Sequence, residues 1–191
     1  MAETTIGFAF CGSFCTFEQS FAMLERLLVT CQVIPIFSHA AWQTDTRFGL
    51  AQEHIRRAET LCGMEPIHTI AQAEPIGPKK LLDALVIAPC TGNTLAKLAH
   101  GIADTPVTMA AKSHLRNGRP VLLGISTNDG LAAAAENIGR LLARRHYYFI
   151  PFGQDDPIAK PNSLVFDPEK GPAALEAALQ GVQLQPILTA K

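Results

Sequence analysis

The run Ala84-Leu85-Val86-Ile87-Ala88 is apolar at every position, and Pro89 follows it as a stop. A strand with one wet face alternates apolar with polar residues, so a run apolar throughout must be covered on both faces. That is the property of a strand inside a parallel sheet flanked by helices. Val121-Leu122-Leu123-Gly124-Ile125 and Thr5-Ile6-Gly7-Phe8-Ala9-Phe10 have the same character. Helical periods follow these runs: Phe17, Phe21, Leu24 and Leu28 after the first, and Leu95, Leu98, Ala99 and Ile102 after the run at 84–88. Thr16 and Gln19 are spaced as a capping box at the head of the first helix. The repeating unit is strand then helix.

The remaining segments extend that unit. Residues 32–37 read as a strand in which Pro35 must sit at a bulge or an unpaired position. Ala51, Ile55, Ala58 and Leu61 trace a helical face that Gly63 can terminate, and 67–70 reads as a minimal strand. Residues 74–78, with two prolines and a glycine, predict no regular structure. Helices are expected over 108–115 and 131–145, a last strand over 147–150, a Pro- and Asp-rich loop over 153–162, and a final helix over 173–179. About six strands alternating with helices give an α/β domain, a mostly parallel sheet with helices on both faces. The whole chain, 1–191, is expected to form one domain, with 153–191 packing on it as loop and helix.

Composition narrows the class of partner. Hydrophobic residues make up 48% and charged residues 17%, too apolar for disorder, and some of that apolar surface is expected between subunits of a homo-oligomer. The formal charge of −1, with scattered basic residues, gives no footprint for nucleic acid or an anionic membrane. The absence of a long apolar run and of a basic leader at the start predicts a cytoplasmic protein. Five cysteines without a CxxC pair argue against a disulfide framework and a zinc site, so no metal is expected.

In an open parallel sheet the ligand binds beyond the carboxyl ends of the strands. There the chain carries Gly12 and Ser13, then Ser38, then Thr91, Asn93 and Thr94, then Ser126, Thr127 and Asn128. Any one of these loops could simply cap a helix. Four of them on one edge predict a site where neutral hydroxyls, amides and free backbone N–H groups hold a phosphate. G-x-G-x-x-G and G-x-x-x-x-G-K-[ST] are both absent, and Ser38 stands where a dinucleotide site would carry an acid. A mononucleotide remains.

The segment from Ala88 to Asp104, with Pro89-Cys90-Thr91-Gly92-Asn93-Thr94 at its head, resembles the P-A-S-A-N-T flavin-binding segment of the flavoprotein superfamily of homo-oligomeric flavin-containing cysteine decarboxylases and flavin prenyltransferases. Within it the chain is most similar to the dipicolinate-forming branch. Gly7 to Ser13, Asp45-Thr46-Arg47-Phe48-Gly49, Ala73 to Lys79, Ser126-Thr127-Asn128-Asp129 and Pro151-Phe152-Gly153-Gln154-Asp155 carry that similarity. The resemblance implies a Rossmann-like three-layer α/β/α fold that binds FMN. It also implies a partner, an NADP-dependent A subunit, with which dihydrodipicolinate is oxidised to dipicolinate in the mother cell of a spore-forming bacterium. Carried over, Gly12, Ser13 and Ser38 would line the phosphate, and Cys90, Thr91, Asn93 and Thr94 would border phosphate and flavin. The stretch Glu74-Pro75-Ile76-Gly77-Pro78 lies where the decarboxylases carry a catalytic histidine, and Ser126-Thr127-Asn128-Asp129 replaces their P-x-M-N motif, so cysteine decarboxylation is not expected.

A small planar dicarboxylate calls for a guanidinium. Arg47 is the first candidate, with Lys112, Arg116 and Arg119 behind it, and Ser126, Thr127 and Asn128 as neutral substrate contacts. No general acid or base stands out. Two alternatives stay open at this level: a non-catalytic docking partner of the A subunit, and a free-standing flavin prenyltransferase or decarboxylase-like enzyme.

Overall fold

The computed structural model describes residues 4–189. In chain order its elements are β1 (Thr4–Phe10), α1 (Phe17–Leu27), β2 (Cys31–Phe37), α2 (His39–Gln43), α3 (Ala51–Cys62), α4 (Ile70–Ala73), β3 (Ala84–Cys90), α5 (Gly92–His100), α6 (Pro106–Leu115), β4 (Val121–Thr127), α7 (Ala135–Leu142), β5 (Tyr147–Phe149), β6 (Phe152–Asp156), β7 (Lys160–Phe166) and α8 (Gly171–Leu179). Among the described residues the strands form one seven-stranded sheet in the order β2-β1-β3-β4-β7-β6, with β5 beside β4. The strands from β1 to β5 pair parallel, and β7 runs antiparallel to both β4 and β6. α1 packs with α8, while α5 adjoins α6 and α7. Strand order reverses between β1 and β3, so the chain leaves those neighbours in opposite directions and opens a crevice beyond their carboxyl ends.

All seven residues of β3 are buried, as the apolar run requires. The strand reaches Cys90 instead of stopping at Pro89; its register with β4 shifts between Ile87 and Cys90, which accommodates a residue without an N–H. Pro35 is tolerated because β2 is an edge strand. Its carbonyl accepts from Ile67 N on the outer side, so its nitrogen faces outward too and no bond to β1 is lost. Gly63 ends α3 at φ 63°, the left-handed cap its position predicts. Beneath β1, Phe10 is fully buried, with ring centroids of Phe8, Phe21 and Phe37 4.8–5.0 Å away and Phe17 at 5.6 Å.

Several expectations are corrected. Residues 67–70 form no strand: Ile67 makes a single bridge to Ile36, and Thr69 with Gln72 instead forms a capping box that starts α4. Residues 74–76 are a 3-10 turn. The expected loop at 153–162 lies largely within the β6–β7 hairpin, which completes the sheet. Thr16 precedes α1 but accepts no capping bond; its hydroxyl donates to Ser13 O at 2.9 Å. The helix expected over 131–145 is confined to Ala135–Leu142. No helix among the described residues is long and apolar enough to cross a membrane.

His114 is fully buried on α6, with Nε2 at 3.1 Å from Pro120 O. Burial pushes its imidazole down to about 4, and burial also lowers that of His54. Between pH 6.5 and 4 the unfolded chain therefore takes up a proton that folded His114 refuses, so stability falls as pH falls across that window. The loss from His114 is about 3 kcal/mol. Urea midpoints measured from pH 7 to pH 4 should drop accordingly, and His114→Gln should flatten the slope without abolishing it, because His54 contributes with the same sign.

Candidate functional site

The crevice is built from the loops that leave β1, β2, β3 and β4. After β1 the chain turns tightly, with Ser13 N donating to Cys11 O at 2.8 Å. Ser13 Oγ lies 2.7 Å from Ser126 Oγ and Thr16 Oγ1 lies 3.0 Å from it, so three hydroxyls tie the β1 loop to the end of β4. Ser38 and Thr91 stand at equivalent places. Ser38 Oγ accepts from Ala41 N at 3.2 Å, and Thr91 Oγ1 accepts from Thr94 N at 3.2 Å. Thr94 Oγ1 in turn donates to Cys11 Sγ at 3.4 Å, linking β1 to α5. With Thr94 N engaged, the N–H groups of Gly92 and Asn93 are the first-turn donors of α5 left for a ligand.

Two cavities open along this edge. The larger, about 630 Å³, has Ser13, Phe14, Phe48, Ser126, Thr127 and Asn128 on its walls, with Asp155, Lys160 and Ser163 from the β6–β7 hairpin. The smaller, about 440 Å³, is walled by Ser38, His39, Asn93, Thr94, Lys97 and Thr105. Gly12 and Thr91 line both. A Cβ on Gly12 would lie 3.2 Å from Ala40 Cβ and 3.6 Å from the Phe14 ring, so the missing side chain leaves room at the wall that the two cavities share. Both volumes fall in the range of small-molecule and cofactor sites.

The charges are few. In the smaller cavity Lys97 Nζ pairs with Asp104 at 2.7 and 3.0 Å, and that bond holds the Asp104 carboxyl below its usual range. In the larger one Lys160 Nζ lies 2.7 Å from Asp155, which raises the ammonium and keeps it charged. Asp129 accepts from Thr127 Oγ1 and sits where a Cβ on Gly92 would be 2.9 Å from its Oδ1. Burial pushes the Cys11 thiol up to about 11 and Cys90 well above its ordinary value, so neither is a thiolate at neutral pH. Among the described residues no group of three or more His, Cys, Asp or Glu could hold a metal ion.

The residues singled out in sequence therefore divide. Gly12, Ser13, Ser38, Thr91, Asn93, Thr94, Ser126, Thr127 and Asn128 converge on the two cavities. Cys90 is completely buried and lines neither. Arg47 is exposed and lines neither; its guanidinium lies 4.8 Å from the centroid of the Phe48 ring, outside the wall that Phe48 forms. Arg119 is engaged by Asp83 and the Leu82 carbonyl, and Lys112 and Arg116 lie on another face. Sequence reasoning missed Phe14, Gln19, Lys97, Thr105 and the hairpin residues Asp155, Lys160, Ser163 and Val165. An Asp-Pro turn at 156–157 ahead of the run Leu164-Val165-Phe166 was a usable hairpin signal.

A crevice at the switch point of a parallel sheet, walled by neutral donors, is where an open α/β fold takes a ligand, and the chain belongs to the flavoprotein family, whose model matches residues 1–178. Its relatives include the dipicolinate synthase B subunit of Bacillus subtilis (strain 168), 49% identical over 184 residues that cover 96% of this chain and 92% of that one. The crystal structure of the dipicolinate synthase B subunit from Bacillus halodurans C matches with a TM-score of 0.91 at 46% identity, covering 100% of this chain and 98% of that one. DmrB of Burkholderia xenovorans in complex with FMN matches with a TM-score of 0.69 at 20% identity, over 94% of this chain and 97% of that one, a likeness of fold.

Proposed function

We propose that this chain is the FMN-binding component of a dipicolinate synthase, working beside an NADP-dependent A subunit to oxidise dihydrodipicolinate to dipicolinate in the cytoplasm of the spore mother cell, as a homo-oligomer. The observation that carries the reading is the pair of neighbouring cavities that share Gly12 and Thr91 in their walls. The smaller has the donors for a phosphate: the first-turn N–H groups of α5, the Ser38 hydroxyl and the Lys97 ammonium. The larger is roomy enough for a flat ring system between Phe14 and Phe48, with Asn128 and the hydroxyls of Ser13, Ser126 and Thr127 as hydrogen-bonding partners. Cys90 acts from behind the loop as packing. When bound, the flavin supplies a two-electron acceptor for the hydride leaving the dihydropyridine ring.

The protein's own part is binding and orientation. Lys160 keeps donors to spare beyond its bond to Asp155 and offers a cation at the cavity wall to a substrate carboxylate; Arg47 serves at the mouth beside Phe48. Lys160→Met is therefore expected to raise the KM for the dicarboxylate about tenfold, and Arg47→Ala to raise it less. Equal, negligible effects would remove both residues from substrate binding.

The deciding measurement is the visible spectrum of the purified protein, before and after incubation with FMN, followed by assay of dipicolinate formation with and without the A subunit. Flavin bands at one equivalent per chain, and product only with both components, are expected. A colourless protein that FMN cannot reconstitute would leave a docking role only. Full activity alone on an unrelated substrate would make it a free-standing enzyme.

A further inference from the structure

At the opposite end of α5 a third cavity, about 460 Å³, opens between the C-terminal turn of that helix, α6 and the turn leading into β5. It shares no lining residue with the two cavities at the sheet edge: Lys97 faces one of those, and its neighbour Leu98 faces this one. Leu98, Ile102 and Leu115 give it apolar walls, and every charge on its lining is positive: Lys112, Arg116 and Arg144. Neither Lys112 nor Arg116 has an ionic partner among the described residues, and Arg144 donates only to the Leu98 carbonyl, at 3.1 Å. Tyr147, 9% exposed, also lines the cavity, and its hydroxyl makes no hydrogen bond among the described residues.

Lys112, Arg116 and Arg144 are exposed, so a ligand in the cavity would exchange their water for charge-assisted hydrogen bonds. Tyr147, with its pKa pushed up to about 12 by burial of the ring, stays a neutral donor throughout the physiological range, and its accessible hydroxyl can serve a ligand. Unpaired cations around an apolar pocket select an anion with an apolar body. We infer that this cavity is a second binding site, specific for a small aromatic carboxylate whose ring lies between Leu98, Ile102 and Leu115 and whose carboxylate is met by Lys112, Arg116 and the Tyr147 hydroxyl. A guanidinium offers that carboxylate a bidentate grip that an ammonium does not. An uncharged ring of the same size would leave the cations unanswered, and a carboxylate without a ring would leave the apolar walls wet.

The site stands whether or not the edge cavities hold a flavin, and calorimetric titration of the full chain with benzoate, in the presence of excess FMN and again without it, tests it. Saturable one-to-one binding is expected in both conditions, with benzyl alcohol at least about tenfold weaker. The double variant Lys112→Glu/Arg116→Glu should weaken benzoate about tenfold or more, and Tyr147→Phe several-fold. Arg140→Ala, an exposed arginine paired with Glu136 away from the cavity, should change nothing. Circular dichroism melting confirms that each variant is folded. Absence of saturable binding, or binding lost on Lys160→Met and untouched in Lys112→Glu/Arg116→Glu, would overturn the inference. FMN-independent benzoate binding by a protein that never takes up FMN would uphold it while the flavin reading fails.

Discussion

Leucine in place of Gly12 is expected to give a folded protein that no longer binds flavin. Gly12 has an ordinary negative φ, so its backbone accepts an L side chain without strain. What it cannot accept is volume. A Cβ there already meets Ala40 Cβ at 3.2 Å and the Phe14 ring at 3.6 Å, and the remaining atoms of a leucine must enter the space at the wall shared by the two edge cavities. A ligand spanning both would lose that space, and we expect FMN affinity to fall at least about a hundredfold, ~2.7 kcal/mol. Flavin fluorescence titration reads this directly. Thermal melting gives a second reading: at a hundred times the parent's dissociation constant FMN should stabilise the parent protein by about 2.7 kcal/mol and the variant by no more than about 0.4 kcal/mol. A variant that keeps the parent's affinity would remove the shared wall at Gly12, and the two-cavity reading, from flavin binding.

The site was legible where its residues lie at the ends of parallel strands. Buried runs mark those strands, small polar residues mark the turn after each, and the geometry of an open sheet brings the turns together without any long-range knowledge of the chain. Gly12, Ser13, Ser38, Thr91 and Ser126 were found in this way, although only the structure reveals that Ser13 and Ser126, 113 residues apart, share a hydrogen bond. The hairpin side of the larger cavity follows a different logic. β7 is exposed over its first three residues and buried over its last four, so it shows neither a uniform apolar run nor a strand-long alternation, and its pairing with β4, which brings the hairpin to the cavity, is set by tertiary contacts. Lys160 and Asp155 were missed for that reason. Cys90 and Arg47 fall outside the lining of both edge cavities for different reasons. β3 continues past Pro89, so Cys90 stays in the sheet; Arg47 is in the expected loop, but Phe48 is the residue that lines the wall. The smaller cavity owes Lys97 to a late position of α5, where the chain reads as an ordinary amphipathic helix.

The same loops depend on what lies beneath them, and Phe10→Ala is expected to be the most destabilising single change in the region. Phe10 is the last residue of β1, fully buried, with four aromatic rings centred within 5.6 Å. Its backbone carbonyl also accepts from Ser38 N at 2.9 Å, joining the ends of β1 and β2 below the crevice. Removing the ring forfeits its transfer free energy and leaves a cavity that fully packed neighbours on both the strand and helix sides cannot close, a loss of about 3–5 kcal/mol. In a domain of this length each kcal/mol moves the melting temperature by roughly 2–4 °C, so the midpoint should fall by about 6–20 °C. Phe10→Leu, which refills most of the volume, should lose much less. The contrast with Gly12→Leu separates scaffold from site. FMN at that same concentration should recover part of the stability of Phe10→Ala by mass action, because the cavities themselves remain, whereas it should do little for Gly12→Leu. A drop below about 1 kcal/mol in urea unfolding of Phe10→Ala would mean that the aromatic cluster collapses into the gap, and that the strand ends are positioned by the backbone ladder alone.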